Sequence, residues 1–324
     1  MGGVIQPLSP AMPIRLFLLT GFLLWFRFLP AQPSFSTGIA EEDLSLLQEY
    51  EDTLGLCGFS VVNDSTPTIR FLSCRKMITT LVKALKIRNS FQFPFEQLRT
   101  VSILYPPDST FRIFTWQLFV GEEDYRYFGA IQRNTPDLQL FPLVDRSAEL
   151  EAADENPVSP ERWYGALYYN IHPFEGPDNR THYLLFGYDG YSFFNRRKLI
   201  EVLSFQDGKP LFGAPLLVDT DPASGEEFPL GRLLLEYSAE SSVRLNYDED
   251  REMVVHDHLT TMGGNYGQGE VNVPDGTYDG YRLDGGRWIQ VHRVWQEVMD
   301  EAPRPEPVFQ EGVRRDLFGK ERKQ

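Results

Sequence analysis

Phe111-Arg112-Ile113-Phe114-Thr115-Trp116-Gln117-Leu118-Phe119-Val120 is the stretch whose reading decides the fold. Its aromatic and β-branched residues favour a strand over a helix. Apolar side chains occupy odd and even positions alike, so a strand here buries both faces, as one near the middle of a packed layer does. Val243-Arg244-Leu245-Asn246-Tyr247 instead alternates apolar with polar, the pattern of a strand with one buried and one wet face. Both patterns recur from Leu98 onward. Strands are predicted at 100–105, 111–120, 127–132, 138–144, 163–171, 183–188, 198–205, 232–237, 243–247, 253–259, 280–283 and 287–291, separated by Gly, Pro and Asp breaks. Leu283-Asp284-Gly285-Gly286-Arg287-Trp288 reads as a hairpin around Asp-Gly. No strand–helix–strand alternation is visible. The expected fold is therefore mainly β: an antiparallel β-sandwich or barrel-like body over residues 98–298, preceded by an N-terminal two-helix segment at 32–97.

The chain start points to export. Arg15 precedes the apolar run from Leu16 to Phe26, and Pro30-Ala31 follows. Positive charge, a dozen apolar residues and a small exit residue are the order of a signal segment, although Leu29 makes the exit site imperfect. The run is short for a membrane span of roughly 20 residues, and Arg27 interrupts it. Residues 1–31 are read as removed, with Met12 as an alternative start and an uncleaved anchor as the alternative fate. The mature chain is expected to have no transmembrane span and to reside in the periplasm or at the cell surface.

Two helices are predicted next. Leu44, Leu47, Tyr50 and Leu54 share one helical face over 41–54, ending at Gly55. Phe71, Cys74, Ile78, Leu81, Val82 and Leu85 form the stripe of a second helix over 68–88, after Thr66-Pro67. The first carries only acids and the second only bases, so they should pack together; a basic helix that docks on a membrane or partner is the alternative. Cys57 and Cys74 are the only cysteines, and an even pair in an exported chain reads as a disulfide.

Composition narrows the class. Hydrophobic residues at 42% and charged residues at 24% are globular values. The formal charge of −15 repels a phosphate backbone, which excludes nucleic-acid binding as the main function. Residues 299–324, with Pro303, Pro305 and Pro307 and then mixed charge, read as a loosely held tail.

Several stretches form a set: 107–116, Trp163-Tyr164-Gly165-Ala166-Leu167-Tyr168-Tyr169, Tyr183-Leu184-Leu185-Phe186-Gly187-Tyr188-Asp189-Gly190, 198–203, Asp257-His258-Leu259 and Tyr278-Asp279-Gly280-Tyr281. Over roughly 45–296 the chain resembles a group of uncharacterised exported proteins of Bacteroidetes-type bacteria. The resemblance implies a periplasmic or surface location and carries over no catalytic residue.

Candidate sites come from the residues themselves. On a strand, His256 and His258 point to the same face, where two histidines can share a metal such as zinc, with His172, His182, Asp248 or Asp250 as a further ligand. Three Asp-Gly pairs between Asp275 and Gly285 offer oxygen ligands for calcium, although Asp-Gly is first of all turn chemistry. Trp163, Tyr168, Tyr188 and Tyr191 belong to an aromatic-rich set that could line a groove for a glycan or peptide. Tyr-Asp-Gly-Tyr occurs at 188–191 and 278–281 and is read as two similar turns. The expected function is that of a non-catalytic binding or envelope-associated protein, with a glycan, peptide or envelope protein as partner. A metal-dependent hydrolase using His256 and His258 is the alternative.

Overall fold

A computed structural model of the protein describes residues 38–121, 124–150, 157–221, 224–264 and 269–295. The signal segment and the C-terminal tail expected above lie outside the described residues. Two helices come first, α1 (Glu41–Asn63) and α2 (Pro67–Leu85). Glu41, Glu42 and Asp43 place negative charge at the positive end of α1, and Pro67 opens α2 at a position where its missing N–H costs nothing. α1 runs eight residues beyond Gly55, where the sequence predicted its end. Gly55 is accommodated inside the helix, and it is nearby Gly58 that has a packing role: a Cβ there would press on the Thr100 hydroxyl, so the bare face of α1 lets Thr100 approach. The helices pack as a pair, with Ser73 Oγ donating to Ser60 Oγ at 2.9 Å.

Fifteen strands follow: β1 (Ser102–Leu104), β2 (Phe111–Gly121), β3 (Asp124–Arg133), β4 (Leu140–Val144), β5 (Leu167–Glu175), β6 (Thr181–Asp189), β7 (Asn195–Gln206), β8 (Lys209–Phe212), β9 (Leu217–Thr220), β10 (Glu227–Leu230), β11 (Arg232–Ser238), β12 (Leu245–Asp248), β13 (Met253–Gly263), β14 (Glu270–Asp284) and β15 (Arg287–Val291). They form three sheets. The first has the order β1-β2-β3-β4; the second β11-β7-β6-β5, with β8 paired to β7; the third β10-β9-β15-β14-β13-β12. All pairings are antiparallel except β15 with β9. The molecule is mainly β and sandwich-like, and none of the sheets closes into a barrel. No helix among the described residues is long and apolar enough to cross a membrane.

Alternation along the strands shows how the sheets stack. Phe114, Trp116 and Leu118 of β2 join the helices in one core, whereas Phe111 and Ile113 join Tyr183, Leu185, Leu199 and Leu203 of the second sheet in another. Leu184, Phe186, Ile200 and Val202 point the opposite way and meet Leu217, Val254, Tyr281 and Trp288 of the third sheet. The order is thus helices, first sheet, second sheet, third sheet, with the second sheet covered on both faces. Each such fully buried side chain contributes about 1.5–3 kcal/mol of hydrophobic stabilisation. Phe111 to Leu118 reads apolar on both faces for this reason: it separates the first core from the second.

Charged side chains are sealed inside as well. Arg112 has no solvent exposure and, among the described residues, no carboxylate partner; its guanidinium donates to the carbonyls of Phe93 and Ser90, the Gln132 amide oxygen and the Tyr105 hydroxyl, among the rings of Phe91, Phe95 and Phe114. Glu201 of β7 and Arg232 of β11 are paired across neighbouring strands and form a buried ion pair, Nε to Oε2 at 3.0 Å. The Asp-Gly hairpin predicted between β14 and β15 is present, with Gly285 and Gly286 both at positive φ in the two-residue turn.

Candidate functional site

Where the first sheet meets the second, the ends of β3, β4 and β6 leave an open cleft of about 270 Å³. β6 ends at Asp189, and Gly190 and Tyr191 turn the chain across the mouth. The turn is fixed by the Tyr191 N–H donating to Asp189 Oδ1 at 2.9 Å, with Tyr191 itself at φ 48°. Gly190 lets the Tyr125 ring lie close against the turn, at a distance where a Cβ would crowd it. On the other wall, Asp145 follows β4 and accepts from the backbone N–H groups of Tyr127 and Ser147 and from the Ser147 hydroxyl at 2.7 Å. Gly165 lies against that carboxylate and leaves no room for a side chain.

The floor is a buried carboxylate held by phenols. Asp189 accepts from the hydroxyls of Tyr127 and Tyr164, each at 2.9 Å. Burial raises the Asp189 pKa above the ordinary carboxylate range, and the hydrogen bonds from Tyr191, Tyr127 and Tyr164 oppose that rise. Burial, followed by the charge of Asp189, pushes both phenols well above their ordinary value, so they remain donors. Arg197 of β7 donates to the Tyr164 hydroxyl at 3.2 Å and pairs with Glu236 at 2.7 Å. Its guanidinium lies 3.3 Å from the centre of the Tyr191 ring. Around the rim stand Asp124 with Arg126 and Glu149 with Arg146, in exposed ion pairs at 3.3 and 3.2 Å. The cleft thus offers hydrogen-bond acceptors, guanidinium donors and one partly open aromatic face, all positioned by strand ends and a tight turn.

Of the four aromatic residues expected to line a groove, Tyr191 alone lines this cleft. Trp163 and Tyr168 are wholly buried: the indole N–H of Trp163 donates to the Tyr168 hydroxyl at 2.6 Å, and that hydroxyl donates to Glu201. Tyr188 is half-buried in β6, near Arg196 and Tyr125. These four side chains form no continuous open surface, because Trp163 and Tyr168 are packed in the core between the first and second sheets.

His256 and His258 are not brought together. Opposite His258, β14 bulges at Asp275–Thr277, so the pairing jumps from Asp257–Tyr278 to Leu259–Pro274. His258 is exposed, with Nδ1 bound to Asp275 Oδ2 at 2.8 Å. His256 is buried, with Nδ1 bound to the Asp257 carbonyl oxygen and Nε2 without a partner among the described residues. Its surroundings are Tyr281, Asp219 and Asp279, the last of which lies 3.6 Å from His292. No group of three His, Cys, Asp or Glu side chains among the described residues is arranged to hold a metal ion.

The Asp-Gly pairs at 275–276 and 279–280 lie inside β14, and only the pair at 284–285 makes a hairpin turn. The second Tyr-Asp-Gly-Tyr is accordingly mid-strand, where the first is a strand end and turn. Both nevertheless bury their aspartate, Asp189 to 4% and Asp279 to 6% exposure, which was the signal for the cleft that the sequence did carry. Tyr127, Asp145 and Arg197 left no comparable signal.

Cys57 and Cys74 are buried free thiols, on α1 and α2, and no disulfide joins them in the structure. Cys74 Sγ accepts from the Trp116 indole N–H at 3.4 Å, and burial pushes both thiols above their ordinary pKa. Comparison of the chain with models of protein families, with curated proteins and with solved structures found no match to any of them.

Proposed function

We propose that the protein is an exported binding protein of the periplasm or cell surface, and that the cleft between the first and second sheets receives the end of a glycan. The observation that carries this reading is a convergence: the Tyr191 ring, 38% exposed and backed by Arg197, stands beside acid–guanidinium pairs within one recess of about 270 Å³. A sugar ring presents hydroxyls at its edge and an apolar C–H face. Asp124, Asp145, Glu149, Arg126 and Arg146 meet the edge, and an aromatic ring stacks on the face. The recess lies at the small end of ligand-site volumes, which favours a single ring over a peptide segment. Export rests on the N-terminal sequence pattern, and the acidic body suits a neutral or amino-sugar ligand better than a polyanionic one.

Calorimetric titration with glucose, galactose, N-acetylglucosamine, glucuronate and their short oligomers tests the reading. Saturable binding of at least one is expected. It should weaken about tenfold, or about 1.4 kcal/mol, in Tyr191→Ala. Phe193→Ala, an exposed ring outside the cleft, should leave it unchanged. Absence of binding across the panel, or binding indifferent to Tyr191, overturns the proposal.

A further inference from the structure

A second recess, separate from the polar cleft, lies along α2. This helix carries two apolar stripes. Met77 and Ala84 face the core with α1 and β2, Phe71, Ile78 and Val82 line open space beside β3 and β4, and Leu81 and Leu85, buried in that core, also border the space. A cavity of about 580 Å³ opens between Phe71, Leu72, Ile78 and Phe128. A smaller one of about 160 Å³ lies further along, between Val82, Leu85, Trp116 and Pro142. Ile78 and Phe128 line both, so the two adjoin along α2 between Thr68 and Leu85, a span of about 25 Å at 1.5 Å per residue. Trp116 and Phe128 stack beneath it with rings 12° from parallel.

Its polar groups are at the wide end: Thr68, Thr79 and Arg75. Arg75 is exposed and, among the described residues, pairs with no carboxylate. We propose that the groove holds a long-chain fatty acid, its hydrocarbon against Ile78, Phe128 and Trp116 and its carboxylate on Arg75. Shape and charge select this occupant. A peptide helix needs a channel about 10 Å across along its whole length, which the narrow cavity of about 160 Å³ between Val82, Leu85 and Pro142 does not provide. A single extended chain is narrow enough to follow both cavities, and an unpaired guanidinium in a chain of net charge −15 selects an anionic end.

The test uses the whole protein with palmitate, with hexadecanol and with a palmitate analogue brominated near its methyl end. Palmitate is expected to bind saturably at one per chain, and the brominated analogue to quench tryptophan emission. That quenching should disappear in Trp116→Phe, which places the chain in the groove independently of affinity. Arg75→Glu, a change at an exposed site, should weaken palmitate about tenfold and leave hexadecanol unchanged. Thr79→Trp, also at an exposed position on the rim, should block both. Lack of saturable palmitate binding, quenching that survives in Trp116→Phe, or equal affinity of Arg75→Glu for palmitate overturns the proposal. So does adsorption to phosphatidylglycerol vesicles, or dimerisation that buries the groove, without palmitate uptake.

Discussion

The buried Glu201–Arg232 pair shows how much single residues here depend on their partners. Both side chains are almost without solvent exposure, and Tyr168 adds its hydroxyl to the carboxylate. Removing one partner leaves an uncompensated charge in the core, so Glu201→Gln should cost about 3–5 kcal/mol in urea unfolding, while Glu201→Met with Arg232→Met should recover most of the loss. Histidine supplies the pH dependence. Burial holds His256 and His172 below the ordinary imidazole pKa. Their unfolded forms take up a proton first as pH falls through about 6.5, so the stabilisation is complete above that value and is lost below it. Thermal midpoints measured from pH 7.5 to 5 should fall, with a shallower slope in His256→Phe; an unchanged slope would reject this assignment. The sequence grouped Tyr191 with Trp163 and Tyr168 and did not separate the surface ring from the buried ones, because which aromatic faces a neighbouring sheet depends on residues far away in sequence. The two-residue period that aligned His256 with His258 failed for the same kind of reason: the bulge that separates their environments belongs to β14.

Among the elements, those with a strong local pattern were legible and those whose stability is borrowed were not. β2, β6 and β7 form where their apolar runs are, and both helices form on their predicted stripes. β8 and β10 were missed: Pro210 and Pro229 argue against strands, yet β10 pairs on one side only and β8 pairs with β7 and otherwise bridges only Val158 through Phe212, so a missing N–H at either proline is tolerated. β9 was missed because its four residues pair with β10, itself unrecognised, and two of them with β15, some 70 residues later. Glycine misled twice, at Gly55, read as a helix end, and at Gly280, read as part of a turn. Gly280 sits mid-strand, where a Cβ would collide with the Val254 carbonyl of β13. Gly280→Ala should therefore destabilise by about 1–3 kcal/mol, as overpacking does. Gly121→Ala, where a methyl meets open space, should stay within about 0.5 kcal/mol of the parent; equal midpoints for the two variants in chemical denaturation would contradict this packing.

At the scale of the whole molecule, the stack places the second sheet farthest from water. Amide protons of β6 and β7, paired on both sides and covered on both faces, should be the last to exchange in native-state hydrogen–deuterium experiments, while β10 and β12, at the edges of the third sheet, should exchange early. Protection spread evenly over the three sheets would argue against this order. Stacking of this kind was only half visible in the sequence, which distinguished strands buried on two faces from those buried on one but not which sheet covers which. The layers also follow the chain: helices at 41–85, first sheet at 102–144, second chiefly at 167–212, third at 217–291, with β11 the strand that turns back. Each layer can therefore be laid on a surface already made by the residues before it. A chain threaded through a pore from its N-terminus would always have its newest apolar face waiting for the next strands to arrive, and the parallel β9–β15 contact would close last, as the latch on a stack assembled in the order of synthesis.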